Sequence, residues 1–203
     1  ASVTDAGSYT VVVSNAAGSG SSVGVGLEVL VPPMIVVAPE GAAVVEGDSI
    51  SFGVKARGSE PLGYQWYYGG SPLEGERGSS LTIGSVAESN RGGYEVQVSN
   101  SAGVVRSEEA RLEVLVKPKL LTLPSGGEVI EGGVYVFQAL ASGTQPMDYK
   151  WIKDGETVQE GEESNLVLSG VSVADGGKYS VSISNEGGRV RSPDVSLKVL
   201  VRP

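Results

Sequence analysis

The sequence predicts an all-β chain: Greek-key β-sandwiches in tandem, arranged end to end. Three observations lead there. Tyr9, Tyr94 and Tyr179 recur at intervals of 85 residues, each closing a similar segment: Asp5-Ala6-Gly7-Ser8-Tyr9, Asn90-Arg91-Gly92-Gly93-Tyr94 and Asp175-Gly176-Gly177-Lys178-Tyr179. Apolar and polar residues alternate with period two in short runs, as on strands buried on one face. Gly, Ser, Asn and Pro punctuate those runs, and β-branched Val is abundant, which favours extended backbone over helix.

The repeat defines the domains. Residues 34–118 and 119–203 align without a gap, matching Pro39 with Pro124, Phe52 with Phe137, Gly58 with Gly143, Trp66 with Trp151 and Leu81 with Leu166. Each is read as one sandwich domain. Residues 1–33 match only the closing third of a unit, its last two strands, predicted over 8–15 and 25–31. A hairpin alone is marginally stable. The expectation is therefore a segment of a longer array, with completion by another chain through strand addition as the alternative.

Within the middle unit, Ile50, Phe52, Val54 and Ala56 share one face of the first long strand. Trp66 points inward with Tyr64 on the next strand, and Leu81 and Ile83 form the following alternating pair. Tyr94, Val96 and Val98 then face the core, with Glu95 and Gln97 opposite. Residues 110–115 alternate again. Strands recurring at this spacing are the mark of a sandwich.

These residues make each unit resemble an immunoglobulin-like domain of the intermediate set. The carriers are Trp66 and Trp151, the Asp/Asn-x-Gly-x-Tyr segments, and the Val/Ile-Ser-Asn-x-x-Gly tails at 13–18, 98–103 and 183–188. The resemblance implies that the tyrosine hydroxyl bonds back to nearby backbone as a corner. It also implies a disulfide beneath the tryptophan, which this chain cannot form because it has no cysteine. Val11, Val96 and Val181 stand where the second cysteine would fall, and Val54 and Ala139 where the first would. Stability must then come from packing alone. The Gly-, Val- and Ser-rich composition resembles disulfide-free arrays of large bacterial surface proteins.

Charge and composition exclude several functions. A net charge of −9 argues against nucleic acid, whose phosphates need a basic face. No polybasic patch or 18-residue apolar run marks a membrane association. With no histidine or cysteine, the usual triads and zinc sites are unavailable. The acids Glu74, Glu76, Glu160, Glu162 and Glu163 are expected on solvated loops, and no Asp-x-Asp-x-Asp-Gly spacing supports calcium. No catalytic, cofactor-binding or metal-binding residue is assigned, no cofactor is expected, and the chain is read as no enzyme.

Between units run Val31-Pro32-Pro33-Met34 and Val116-Lys117-Pro118-Lys119, where proline restricts the backbone and no flexible tract intervenes. Stiff junctions suit a semi-rigid rod. The expected function is a structural repeat segment of a long extracellular or cell-surface protein, self-assembling into a filament. The rivals are an adhesion module recognising a protein or glycan, and an intracellular elastic array. The expected partners are proteins: neighbouring repeats and other copies of the chain as a homo-oligomer. Tyr67 and Ile152, outward on the sheet of the last strands, are the first place to look for lateral contacts.

Overall fold

The structure, a computed structural model, describes residues 1–203. It is built of strands, interrupted by 3-10 turns at Val3–Asp5, Glu88–Asn90 and Val173–Asp175 just before the three repeated tyrosines.

The first segment holds β1 (Gly7–Tyr9), β2 (Val12–Asn15), β3 (Gly18–Ser21) and β4 (Val25–Leu27), with β1 paired to β4 and β2 to β3. Two strands were expected: the first is split into β1 and β2, the second is reduced to β4, and β3 is an additional strand between them. Strand structure also stops at Leu27 instead of reaching residue 31, because the first segment has no strand equivalent to β6 or β16 for residues 28–30 to pair with. Tyr9, Val11 and Val13 stay more than half exposed. Even so, the Tyr9 hydroxyl donates to the carbonyl oxygen of Asp5 at 2.7 Å. The corner is thus a local device that forms without a core.

The middle unit contains β5 (Met34–Val37), β6 (Ala42–Val45), β7 (Ile50–Gly53), β8 (Lys55–Arg57), β9 (Gly63–Tyr68), β10 (Ser71–Pro72), β11 (Ser80–Ile83), β12 (Gly92–Asn100), β13 (Gly103–Arg106) and β14 (Ala110–Leu115). Pairs β5–β8 and β7–β11 form one layer. The other runs in the order β10-β9-β12-β14-β6, with β13 also on β12. The alternation read from the sequence holds where it matters most. Phe52, Trp66, Leu81, Tyr94, Val96, Val98, Leu112 and Val114 are buried, and the rings of Phe52 and Tyr94 stack at 5.0 Å.

The last unit repeats the plan with β15 (Lys119–Thr122), β16 (Gly127–Ile130), β17 (Val134–Gln138), β18 (Leu140–Ser142), β19 (Asp148–Lys153), β20 (Glu156–Gly161), β21 (Asn165–Ser169), β22 (Gly177–Asn185), β23 (Gly188–Arg191) and β24 (Val195–Leu200). One layer is β15–β18 with β17–β21; the other is β16-β24-β22-β19-β20, with β23 on β22. β16 runs parallel to β24 while the other pairs of that sheet are antiparallel, so the chain crosses from one layer to the other between β15 and β16. Its core gathers Phe137, Ala139, Trp151, Leu166, Tyr179, Val181 and Ile183. Val96 lies opposite Trp66 and Val181 opposite Trp151, so small aliphatic side chains occupy the sites where the family places its bridge.

Two details were not read from the sequence. A buried serine, Ser107 or Ser192, accepts the N–H of Val96 or Val181 at 3.0 Å where β13 and β23 give way to the next strand. This partners a backbone donor that the strand switch would otherwise leave unpaired. Glu160, expected on a loop, lies on β20 facing Lys150, with Nζ to Oε1 at 2.9 Å. The residues Thr157-Val158-Gln159 carry the strand up to it, and a cross-strand ion pair completes the register. Both groups are substantially exposed, so the pair contributes little to stability.

The Tyr179 corner makes a pH prediction. Ser172 donates to the Asp175 carboxylate from its backbone N–H at 2.7 Å and its hydroxyl at 2.8 Å, which holds that acid below the usual aspartate range. Tyr179 in turn donates to the Asp175 carbonyl at 2.7 Å. Burial, aided by the charges of Asp175 and Asp154, pushes its phenol up to about 12. In the unfolded chain it ionises near about 10. Its contribution to stability is therefore complete below pH ~10 and is lost as pH rises toward ~12. The urea midpoint of the last unit should fall across that window, and Tyr179→Phe should flatten the fall while lowering the neutral-pH baseline. An unchanged slope in the variant would assign the alkaline loss to other groups.

Candidate functional site: a linker clamp

The arrangement that recurs with unit periodicity holds the connecting segments. Asn100 and Asn185 open the four-residue turns between β12 and β13 and between β22 and β23. In the first, Oδ1 accepts the N–H groups of Ala102 at 2.9 Å and Gly103 at 3.1 Å; in the second, those of Gly187 at 2.9 Å and Gly188 at 3.1 Å. A side-chain oxygen that captures the backbone two residues on is the ordinary means by which Asn makes a turn.

That leaves the amide nitrogen facing outward with two protons to place. Asn100 donates one to the carbonyl of Val31 at 2.8 Å and the other to that of Ser59 at 2.9 Å. Asn185 does the same to Val116 at 2.8 Å and Thr144 at 2.7 Å. Every hydrogen-bonding capacity of the amide is thereby used. The hydroxyl residue completes the grip. Ser59 Oγ accepts the N–H of Val31 at 2.9 Å, and Thr144 Oγ1 that of Val116 at 2.8 Å. The backbone N–H groups of Ser59 and Thr144 return to the same two carbonyls at 3.0 Å. Both polar groups of the linker residue are held by the unit that follows it.

Glycine is required beside the clamp. A Cβ at Gly143 (φ 142°) would stand 2.9 Å from the Lys117 carbonyl oxygen and 3.1 Å from Pro118 Cα. At Gly58 (φ 157°) it would meet the Pro32 oxygen and Pro33 Cα at 3.0 Å. Only a residue without a side chain lets the linker lie this close. Cis peptide bonds follow at Glu60–Pro61 and Gln145–Pro146.

Sequence reading assigned the stiffness of these junctions to proline alone. Asn100 and Asn185 stand there as family marks and Gly58 and Gly143 as matched repeat positions, with none of this work given to them, and Ser59 and Thr144 are passed over. The donor and acceptor are 69 residues apart, and no local pattern says that they meet. The common 85-residue offset of all four positions was the available signal.

The outward residues behave differently from each other. Tyr67 is half-buried under the Arg106 guanidinium, which lies 3.9 Å from the ring centroid and 3.5 Å from Glu95. Ile152 lines a shallow groove with Lys150, Ser182, Arg189 and Arg191, whose charges meet Glu160 and Asp194. Between β10 and β11, Glu74 is exposed and Glu76 half-buried. No group of three or more His, Cys, Asp or Glu converges as metal ligands would.

Comparison with known proteins agrees with this layout. Residues 32–100 match the family model of the immunoglobulin domain, and residues 118–199 that of the immunoglobulin I-set domain. The chain belongs to the immunoglobulin family. It is 33% identical over 222 residues to Hemicentin-2 of Mus musculus, covering 100% of this chain and 4% of that protein. It is 25% identical over 215 residues to the muscle M-line assembly protein unc-89 of Caenorhabditis elegans, covering 94% of this chain and 3% of the other. Among solved structures, the extracellular domains 3–5 of Drosophila OTK share 26% identity and a TM-score of 0.63, over 98% of this chain and 72% of theirs. The immunoglobulin chain thus spans a few per cent of the length of these two proteins. These relatives are animal proteins, and the bacterial kinship suggested by composition finds no support among them. No helix is long and apolar enough to cross a membrane.

Proposed function

We propose that this immunoglobulin chain is a structural repeat segment of a longer extracellular or cell-surface protein, in which 85-residue units at 34–118 and 119–203 act as a semi-rigid rod that associates with copies of itself. The observation that carries the reading is the duplicated clamp: Asn100 and Asn185 each hold a connecting carbonyl at 2.8 Å. A spacer needs its joints restricted, because a free linker spreads the distance between its ends. A backbone residue bonded through both its N–H and its C=O has lost most of its freedom at that point. Similarity to an extracellular fragment, domains 3–5 of Drosophila OTK, supports the same reading.

The test is small-angle scattering of the whole chain beside the Asn100→Asp/Asn185→Asp double variant. The parent should give a narrow distribution of maximum dimension, and the variant a broader one at unchanged secondary structure. A parent already as broad as the variant would overturn the rod. The second reading, an intracellular elastic array, is favoured by the match to the M-line assembly protein; the leader or anchor in the full-length protein separates the two.

A further inference from the structure

The two complete units share a fold and a register but differ on one sheet face, which gives an internal comparison. In the last unit, β17, β18 and β21 turn Val134, Val136, Leu140 and Val167 outward, with Leu121 on the adjoining β15. All five are exposed, by 46% to 64%. Val136 and Val167 are direct cross-strand partners, and Val134 and Ser169 the next pair along. At the 85-residue offset the middle unit has Ser49, Ser51, Lys55 and Thr82 in place of the first four, and the Ser51 and Thr82 hydroxyls bond to each other at 3.0 Å. The fold therefore does not require aliphatic side chains at those four positions, whereas Leu121 has an exposed aliphatic counterpart in Val36. Inward residues of the same strands, such as Phe137 and Leu166, stay matched between units as Phe52 and Leu81.

We infer that this face of the last unit is a contact surface for a second copy of the chain. It deepens the self-association part of the function proposed above and rests on that reading. Area and charge select the occupant. The five side chains leave on the order of 450 Å² of aliphatic surface open, which is the scale of the largest patches that monomeric proteins carry. With a rim of Thr122, Gln138 and Ser169 the face comes close to the roughly 800 Å² per partner of a standard specific interface. Between Lys119 at one end and Ser169 at the other, the face holds no charged side chain. Two chains of net charge −9 can thus meet there without bringing carboxylates together. The contact is isologous, the same strands on both copies, and face-to-face sheets bury such rows by interdigitation.

Sedimentation equilibrium of the 203-residue chain tests this directly. The expected result is a reversible dimer with a dissociation constant of about 10–100 μM, as the modest area implies. Val136→Ser/Val167→Thr, which installs the residues of the middle unit, should weaken it by more than tenfold at unchanged circular dichroism. Gln138→Arg, which sets like charges opposite each other, should do the same without removing aliphatic surface. A parent chain that stays monomeric at ~300 μM, well above that range, would overturn the inference. So would a dimer that both variants leave intact, because its contact would lie elsewhere, for instance on exposed Val11 and Val13. The clamp variants leave this face untouched, so rod and contact can fail separately.

Discussion

Phe137→Ala should cost the last unit about 3–5 kcal/mol, the range for deleting a fully buried aromatic ring. Phe137 has no exposed surface. Its ring stacks on Tyr179 at 4.4 Å, tilts against Trp151 at 5.9 Å and meets the edge of Tyr135 at 4.8 Å. The vacated space is lined by rings that are themselves pinned, Tyr179 through its corner bond and Trp151 through a strand paired on both sides, so the cavity cannot close easily. A domain of this size carries a total stability of roughly 4–13 kcal/mol, so the loss is a large fraction of it. No disulfide limits the unfolded ensemble or compensates for the lost contact. Urea unfolding followed by Trp151 fluorescence should show a midpoint displaced to low denaturant, while Trp66 continues to report a folded middle unit. Val136→Ala, one residue away on the solvent face, should change stability by less than about 0.5 kcal/mol. Comparable effects at the two positions would contradict the alternation on β17.

The second large effect is at the clamp. Asn185→Ala removes four hydrogen bonds at once, two that shape the turn and two that hold the connecting segment. Because the site is only partly buried, water replaces some of them, and the net cost should be about 1–3 kcal/mol rather than the sum of four. Asn185→Asp separates the two roles. A carboxylate still accepts from Gly187 and Gly188 but offers no proton to the Val116 and Thr144 carbonyls, and it sets an anion against two oxygen atoms. The turn should survive and the linker should come loose. Amide exchange at Val116 and Thr144 is the readout. Both should speed up in the Asp variant, and Gly187 should speed up only in the Ala variant. Protection at Val116 that is unchanged by either substitution would show that proline alone holds the junction, as the sequence reading supposed.

Those two sites also mark how far sequence reading reaches. The period-two alternation named the buried face of β12 as Tyr94, Val96 and Val98, because a strand facing one core sorts its side chains by solvation alone. The tyrosine corner was equally legible. It spans five residues, and Tyr9 forms it with no core beneath. Where the reading fell short, a bond or a break lay outside the local pattern. Val31 alternates like a strand residue, yet its N–H and C=O are taken by Ser59 and Asn100. Glu160 looks like part of an acidic loop, yet it continues β20 opposite Lys150.

The sequence by itself determined the all-β fold class, the 85-residue repeat and the absence of a bridge, since alternation, period and the missing cysteines are properties of the chain read along its length. Only the tertiary structure decided what the Asn of the repeated tail holds, that Tyr67 lies beneath Arg106, and which outward row is left aliphatic. Each of these depends on residues brought together across tens of positions, by strand pairing and close approach that no local periodicity records.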